Sequence, residues 1–194
     1  MSDTQQSPAK VVIVSGPSGV GKSTICKEVA KRLDKVCVSV SVTTRTQTPQ
    51  DVEGQDYYFV SREVFERQIA AGRFLEHAEV FGHYYGTLKD KIDEALAAGR
   101  TVILEIDVQG AKQAKMVYPD APMVFILPPS NKVLEQRLHD RGRDAEEIAE
   151  QRLNGASNEI AAAWQYYEHM VINEDLEQAI AELIQIIQNE PSDQ

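Results

Sequence analysis

The feature that most constrains this chain is a glycine-rich segment between a buried strand and a helix. It reads Gly16-Pro17-Ser18-Gly19-Val20-Gly21-Lys22-Ser23 and matches the pattern G-x-x-x-x-G-K-[ST] at every position. The apolar run 11–14 precedes it, and a stretch with helical spacing of apolar residues, 23–33, follows it. A loop that cradles a phosphate requires this order of strand, loop and helix.

The residue types in this loop match the chemistry of a triphosphate. The glycines let the backbone curl so that successive N–H groups point inward, and the start of the helix adds its positive end. Lys22 can reach between the β- and γ-phosphates, and the Ser23 hydroxyl is placed to ligate Mg²⁺. The loop therefore predicts binding of ATP with Mg²⁺ across residues 16–23 and leaves open what happens to the γ-phosphate.

Short runs rich in β-branched residues recur along the chain and alternate with segments of helical periodicity. The runs are apolar on both faces, which is typical of a parallel sheet covered by helices. They lie at 11–14, 36–40, 102–106, 124–127 and 170–172. The predicted helices lie at 23–33, 88–98, 132–140, 145–167 and 175–188. The alternation predicts an α/β fold.

One block, residues 43–87, interrupts this alternation, contains a helix-like segment at 62–71 and is expected to form a small insertion on the rim of the sheet. The expected domain covers residues 10–190, with polar tails at 1–9 and 191–194. Gly99 and Gly142 are each expected to cap the end of a helix.

Charge and composition exclude several partners. Twenty Lys and Arg against thirty Asp and Glu give a net charge of −10, which disfavours nucleic acid and anionic membrane surfaces. The chain shows no secretory signal and no apolar stretch long enough for a membrane span. Its two cysteines, Cys26 and Cys37, match neither a disulfide framework nor a metal pair, so we expect a cytoplasmic protein. The sequence leaves open whether copies of the chain form a homo-oligomer.

Several further blocks carry a resemblance to a known family. They are Thr43-Thr44-Arg45, 54–60, 74–80, Tyr84-Tyr85-Gly86-Thr87, Ile106-Asp107-Val108-Gln109-Gly110 and 126–130. Spaced in this way after a phosphate loop, they resemble guanylate kinase from near residue 10 to near residue 187. The resemblance implies a P-loop nucleoside monophosphate kinase fold with a five-stranded parallel core sheet, a GMP-binding insertion at 43–87 and a mobile lid at 138–150. It also implies phosphoryl transfer from MgATP to GMP.

The resemblance further implies roles for individual residues. It assigns the guanine base to Ser41, Glu76, Thr87 and Asp107, and the GMP phosphate to Arg45, Tyr57 and Tyr85. It assigns the ATP side and the transfer step to Lys22, Arg45, Arg137, Arg141 and Arg152. Guanine chemistry agrees, because one carboxylate can accept from both its N1–H and its exocyclic amine. Adenine has an acceptor at N1, so Glu76 would be left facing a lone pair.

Glu105 and Asp107 follow a predicted strand, at the edge where ligands collect in open parallel sheets. A carboxylate at this edge can order the water around Mg²⁺. The resemblance also brings Asp107 close to the guanine amine, and the sequence leaves both roles open.

Two other functions compete with guanylate kinase. A kinase for another small phosphate would keep the loop, although Ser41 and Glu76 argue against it. A guanylate-kinase-like phosphopeptide-binding module would typically have an eroded loop and neighbouring domains, whereas this loop is intact.

Two positions depart from the family pattern, Thr48 and Asp51. The family normally places a second phosphate-binding arginine where this chain has Thr48, within the run Gln47-Thr48-Pro49-Gln50-Asp51. The loss of one charge-assisted hydrogen bond would weaken GMP binding by roughly 1.5 to 3 kcal/mol.

Restoring this arginine should strengthen GMP binding. We expect Thr48→Arg to lower the KM for GMP and to leave the KM for ATP nearly unchanged, because the new contact is remote from ATP. The gain should shrink as salt is raised, since exposed charges are screened over about 8 to 10 Å. Steady-state kinetics at two salt concentrations measures both effects. An unchanged or raised KM for GMP would mean that another group, such as Arg62, already fills the gap.

Overall fold

Five strands form a parallel sheet in the computed structural model of the chain, which describes residues 9–140 and 146–188. Strands are numbered along the chain, and their order across this sheet is β2-β7-β1-β8-β9. They are β1 (Val11–Ser15), β2 (Val36–Val38), β7 (Thr101–Glu105), β8 (Met123–Leu127) and β9 (His169–Ile172). Each neighbouring pair is parallel, which confirms the predicted core sheet.

The helices agree with the predicted periodic segments, and with the helix-like segment 62–71 of the insertion, to within one residue at each end, and one more appears. They are α1 (Lys22–Arg32), α2 (Arg62–Ala70), α3 (Lys89–Ala97), α4 (Val108–Val117), α5 (Asn131–Asp140), α6 (Glu146–Tyr166) and α7 (Leu176–Gln188). The hydrophobic periodicity of the sequence did not indicate α4. The buried residues of this helix are Gly110, Ala111 and Ala114, whose small side chains give little hydrophobic contrast. Gly99 follows α3 with a φ of 72°, as its predicted capping role requires.

Helices cover both faces of the sheet, and this explains the doubly apolar strands. Val12 and Val14 of β1 belong to a buried cluster with α1, α5 and α7. Val11 and Ile13 belong to a second buried cluster, with α3 and α4. Helix α6 contributes to both clusters. The central strand is therefore fixed from two sides, which holds the loop that follows it.

The predicted insertion contains a four-stranded sheet of its own. Its order is β4-β3-β6-β5, with only the β3–β4 pair parallel. The strands are β3 (Ser41–Thr43), β4 (Tyr57–Phe59), β5 (Phe74–Val80) and β6 (His83–Leu88). Phe65 of α2 stacks on Phe74 with a ring-centroid distance of 4.4 Å and on Tyr84 at 5.3 Å. The run 36–40, predicted as one strand, ends at Val38, and the chain then enters this second sheet.

Parts of the predicted tails and lid lie outside the described residues. These are 1–8, 189–194 and 141–145, the last including Gly142. The domain boundaries at 10 and 190 therefore stay predictions. Over the described ranges, no helix combines the length and the apolar character needed to cross a membrane.

The loop after β1 runs so close to β8 that residue 16 has no room for a side chain. Gly16 has a φ of 150°, and an added Cβ would lie 2.4 Å from the carbonyl oxygen of Ile126. A backbone atom cannot move aside as the end of a side chain can.

We expect Gly16→Ala to lower the free energy of unfolding by about 3 kcal/mol or more, as strained backbone and overpacking combine. The matched control is Gly72→Ala, because Gly72 is also left-handed, with a φ of 64°, but has no atom within 4 Å of an added Cβ. This control should lose only about 1 kcal/mol. Urea denaturation measures both values, and equal losses would contradict the steric explanation.

Candidate active site

The loop of residues 16–23 surrounds a concave space at the carboxyl end of β1. The Lys22 ammonium donates to the carbonyl oxygens of Gly16 at 2.6 Å and Pro17 at 3.1 Å. Gly21, with a φ of 103°, immediately precedes α1 and offers no side chain to cap it. The first amides of α1 therefore point toward the loop, which makes this a suitable anion site.

Ser23 and Glu105 meet on the floor of this space. The Ser23 hydroxyl donates to Glu105 Oε1 at 2.6 Å. The two side chains come together because β7 pairs with β1, with Glu105 opposite Val14. Hydroxyl and carboxylate oxygens are hard ligands of the kind that Mg²⁺ prefers. The described residues contain no cluster of three or more His, Cys, Asp or Glu side chains able to hold a metal. A site of this kind suits an ion held mainly by phosphate oxygens and water.

Glu76 lines the same space from β5, with only 3% of its surface exposed. Burial raises the pKa of its carboxyl to about 7, and the negative charge of Asp107 adds to the rise. Thr87 lies directly opposite on β6. Its buried hydroxyl partly offsets the rise in the pKa of Glu76, although it makes no hydrogen bond of standard geometry. The contacts from Thr87 only partly offset the effect of burial on the pKa of Glu76, so its carboxylate can accept further donors.

Asp107 has a contact that the sequence did not suggest. Its Oδ1 accepts hydrogen bonds from the backbone N–H groups of Gln109 at 2.6 Å and Gly110 at 3.1 Å. Asp107 is thus the N-cap of α4. Its side chain also lines the cavity, so the cap holds a carboxylate near Glu76.

The two predicted tyrosines approach each other at the cavity wall. The rings of Tyr57 and Tyr85 lie 5.8 Å apart, edge to face. Burial raises the pKa of Tyr57 to about 12, so its hydroxyl stays protonated and able to donate at neutral pH. Ser41 lies beside Tyr57 in the paired strands β3 and β4 and lines the same cavity.

Arg45 is held by an acidic neighbour. Its guanidinium makes two hydrogen bonds to the Asp51 carboxylate, at 2.9 and 3.0 Å, and lies 5.2 Å from the centroid of the Tyr57 ring. The Thr48 hydroxyl and N–H also donate to Asp51. These contacts, led by that of Arg45 and aided by Thr48, hold the pKa of Asp51 well below its usual range. Thr48 thus supports the carboxylate that orients Arg45, and Arg62 instead contacts Glu66 and the Tyr84 hydroxyl.

The predicted lid arginines are described only in part. Arg137 donates to the carbonyl oxygens of Val20 at 3.2 Å and Asn173 at 3.1 Å, so it is bonded to the back of the phosphate loop. The Asn173 amide also donates to Val20, at 2.8 Å. Arg141 lies outside the described residues, and Arg152 is described only as a position in α6.

One cavity joins most of the predicted site residues. Those that line it are Gly16, Ser18, Lys22, Ser23, Ser41, Tyr57, Glu76, Tyr85, Glu105 and Asp107. Sequence reasoning missed four further lining residues, Val80, Phe81, Ile106 and Glu159. Glu159 carried no motif signal in the sequence, because only the packing of α6 brings it to this cavity. Burial raises the pKa of Glu159, while nearby Lys22 opposes the rise.

Comparison with known proteins adds an independent finding. The family model described as guanylate kinase matches residues 8–190. The guanylate kinase of Carboxydothermus hydrogenoformans is 50% identical over 173 residues, covering 89% of this chain and 84% of that protein. The guanylate kinase of Thermosynechococcus vestitus is 46% identical over 183 residues, covering 94% and 95%.

Solved structures agree with the fold. A crystal structure of guanylate kinase from Anaplasma phagocytophilum superposes with a TM-score of 0.78 at 33% identity, covering 96% of this chain and 88% of that one. Shikimate kinase from Bacteroides thetaiotaomicron superposes with a TM-score of 0.53 at 14% identity, covering 94% and 99%. The second likeness concerns the fold alone.

The raised pKa of Glu76 predicts a pH-dependent stability. As pH rises above 4.5, the unfolded chain loses this proton first, whereas the folded chain keeps it until about pH 7. Folding is therefore penalised increasingly between these values, and fully above pH 7. Glu76→Gln removes the ionisable group, so we expect it to be more stable than the original chain at pH 8 by roughly 2 to 3 kcal/mol.

This advantage of Glu76→Gln should shrink to below about 1 kcal/mol at pH 5. Urea denaturation of the nucleotide-free protein at pH 5 and pH 8 measures it. Glu79→Gln is the control, because Glu79 lies on the same strand with its side chain in solvent. The same difference at both pH values would contradict the assignment.

Proposed function

The chain belongs to the guanylate kinase family, and we propose on this premise that it transfers the γ-phosphoryl group of ATP to the phosphate of GMP, giving ADP and GDP. The observation that carries the proposal is the position of Glu76, a buried carboxylate in the same cavity as Lys22 and Ser23 of the phosphate loop. One end of the cavity suits a triphosphate, and the other suits a base with adjacent donors.

Guanine offers the Glu76 carboxylate two adjacent hydrogen-bond donors. Its N1–H and exocyclic amine both donate toward one carboxylate and stabilise the ionised form that burial disfavours. Adenine, with an acceptor at N1, would leave the carboxylate unsatisfied. Ser41, Thr87 and Asp107 lie around Glu76 or line the same cavity and supply the other contacts to the base.

Binding of the phosphate groups replaces hydrogen bonds that the protein already makes within itself. The Lys22 ammonium leaves the carbonyl oxygens of Gly16 and Pro17 for the β- and γ-phosphates, while the loop amides hold the phosphate oxygens. On the acceptor side, Arg45 is already oriented by Asp51, and the hydroxyls of Tyr57 and Tyr85 donate to the GMP phosphate. Transfer then needs positioning and charge stabilisation, without a covalent intermediate.

Cations are needed because the cavity is acidic. Among its described lining residues, four carboxylates, of Glu76, Glu105, Asp107 and Glu159, face one ammonium, that of Lys22. Two anionic nucleotides bind there only if further positive charge enters. Ser23 and Glu105 fit Mg²⁺, directly or through water, and the bound ion would neutralise charge on the β- and γ-phosphates. Arg137, Arg141 and Arg152, in and beside the predicted lid, supply the remaining positive charge.

We place this activity in purine nucleotide metabolism and in the cytoplasm. Phosphorylation of GMP converts a purine nucleoside monophosphate into the diphosphate. Both cysteines in the described ranges, Cys26 and Cys37, are free thiols, which suits a reducing compartment.

A coupled assay with MgATP and four acceptors, GMP, AMP, CMP and UMP, tests the proposal. We expect turnover with GMP and little with the others. Lys22→Ala should lower turnover by about a thousandfold, because it removes the charge that meets the γ-phosphate. Glu76→Gln should sharply reduce the preference for GMP over AMP, because an amide donor would face a guanine donor.

Both rival functions predict that none of the four nucleotides is phosphorylated. A kinase for another small phosphate would consume ATP only when its own acceptor is supplied, whereas a phosphopeptide-binding module would transfer no phosphoryl group to any acceptor. Turnover with GMP that survived Lys22→Ala would remove the loop from the mechanism.

A further inference from the structure

Helix α4 and strand β5 form the contact between the core and the second sheet beside Glu76. The Gln113 side chain of α4 bonds both backbone groups of His77, accepting from its N–H at 3.2 Å and donating to its carbonyl oxygen at 2.8 Å. Strand β5 is at the edge of its sheet, so Gln113 satisfies backbone groups that a neighbouring strand would otherwise pair. The backbone next to Glu76 is thereby tied to α4.

Gly110 lies one helical turn before Gln113 on the same face of α4, and Asp107 lies one turn before Gly110. A Cβ added at Gly110 would lie 2.3 Å from Glu76 Oε2 and 3.0 Å from Glu76 Cδ. The Glu76 carboxylate therefore occupies the space that a side chain at position 110 would fill. Gly110 itself has no left-handed backbone conformation that would require glycine, because the residues with positive φ lie elsewhere.

Neither element can easily move away from this contact. The Asp107 carboxylate caps the start of α4, and Ala111 and Ala114 are fully buried against the core sheet. On the other side, Gln113 holds His77. A larger residue at position 110 would thus displace the carboxylate, which is the end of a flexible side chain, and leave the helix and strand in place.

We propose that Gly110 is a positioning residue for guanine recognition: the absence of a side chain at this position sets where the Glu76 carboxylate meets the base. The proposal deepens the GMP kinase activity proposed above and rests on it. It explains why a helix of the core carries a glycine in its first turn, where alanine would favour the helix.

The test is Gly110→Ala, compared with Gly155→Ala. Gly155 also lies within a helix, α6, and an added Cβ there would meet none of the described atoms within 4 Å. We expect Gly110→Ala to raise the KM for GMP by about ten- to a hundredfold, the range for a disrupted charge-assisted hydrogen bond. The KM for ATP and the thermal unfolding temperature should stay within the range of the original chain and Gly155→Ala.

A shorter carboxylate should relieve the displacement. In the Glu76→Asp background, Gly110→Ala should raise the KM for GMP by less than about threefold, because the two changes act on one contact. Equal effects in both backgrounds would contradict the proposal. So would a loss of stability specific to Gly110→Ala, since the helix or strand would then have given way instead of the carboxylate.

The experiment also separates the two proposals. If the original chain does not phosphorylate GMP, the proposed function fails. If it does, and Gly110→Ala has the same KM for GMP as Gly155→Ala, the assigned role of Gly110 alone is wrong.

Discussion

The parallel pairing of β1 with β7 and β8 is the interaction on which the site depends. Carboxyl ends of parallel strands lie at one edge of a sheet, so the loop after β1 comes to lie beside the end of β7. The register that sets Val14 opposite Glu105 brings Ser23 and Glu105 within a hydrogen bond. Asp107, two residues after Glu105, is the N-cap of α4, and α4 contacts strand β5 of the second sheet. The same edge of the core sheet therefore positions both the phosphate loop and the helix that contacts the second sheet.

Most polar groups of the site have partners within the protein when no nucleotide is bound. Lys22 bonds the carbonyl oxygens of its own loop, and Arg45 bonds Asp51. Such contacts keep the groups oriented and can be exchanged for phosphate oxygens at small cost. Glu76 differs, since burial raises its pKa and costs folding energy at neutral pH. Under the proposed function, a base with two adjacent donors would offset that cost, and stability and selectivity would then be coupled at this residue.

The acidic lining of the cavity is the reason why the proposed reaction needs cations. The chain has a net charge of −10, and four carboxylates line the cavity. A site of this sign disfavours nucleotides unless positive charge is added, and Mg²⁺ and the predicted arginines are its proposed sources. Arg137, which directly precedes the predicted lid, donates to the carbonyl oxygen of Val20 in the phosphate loop.

The core of the fold could be read from the sequence, because its signals are local. The loop at 16–23, the doubly apolar strands and the helical periodicities each depend on neighbours in the chain. The second sheet, helix α4 and the partners of Asp51 could not be read in this way. Helix α4 buries glycine and alanine, which carry little hydrophobic signal, and Glu159 and Gly110 gain their importance only from residues distant in sequence. The sequence by itself determined which chemical groups are present and the strand-and-helix frame. Tertiary structure decided which of them meet, because burial, pKa and steric room arise from contacts between segments far apart in the chain.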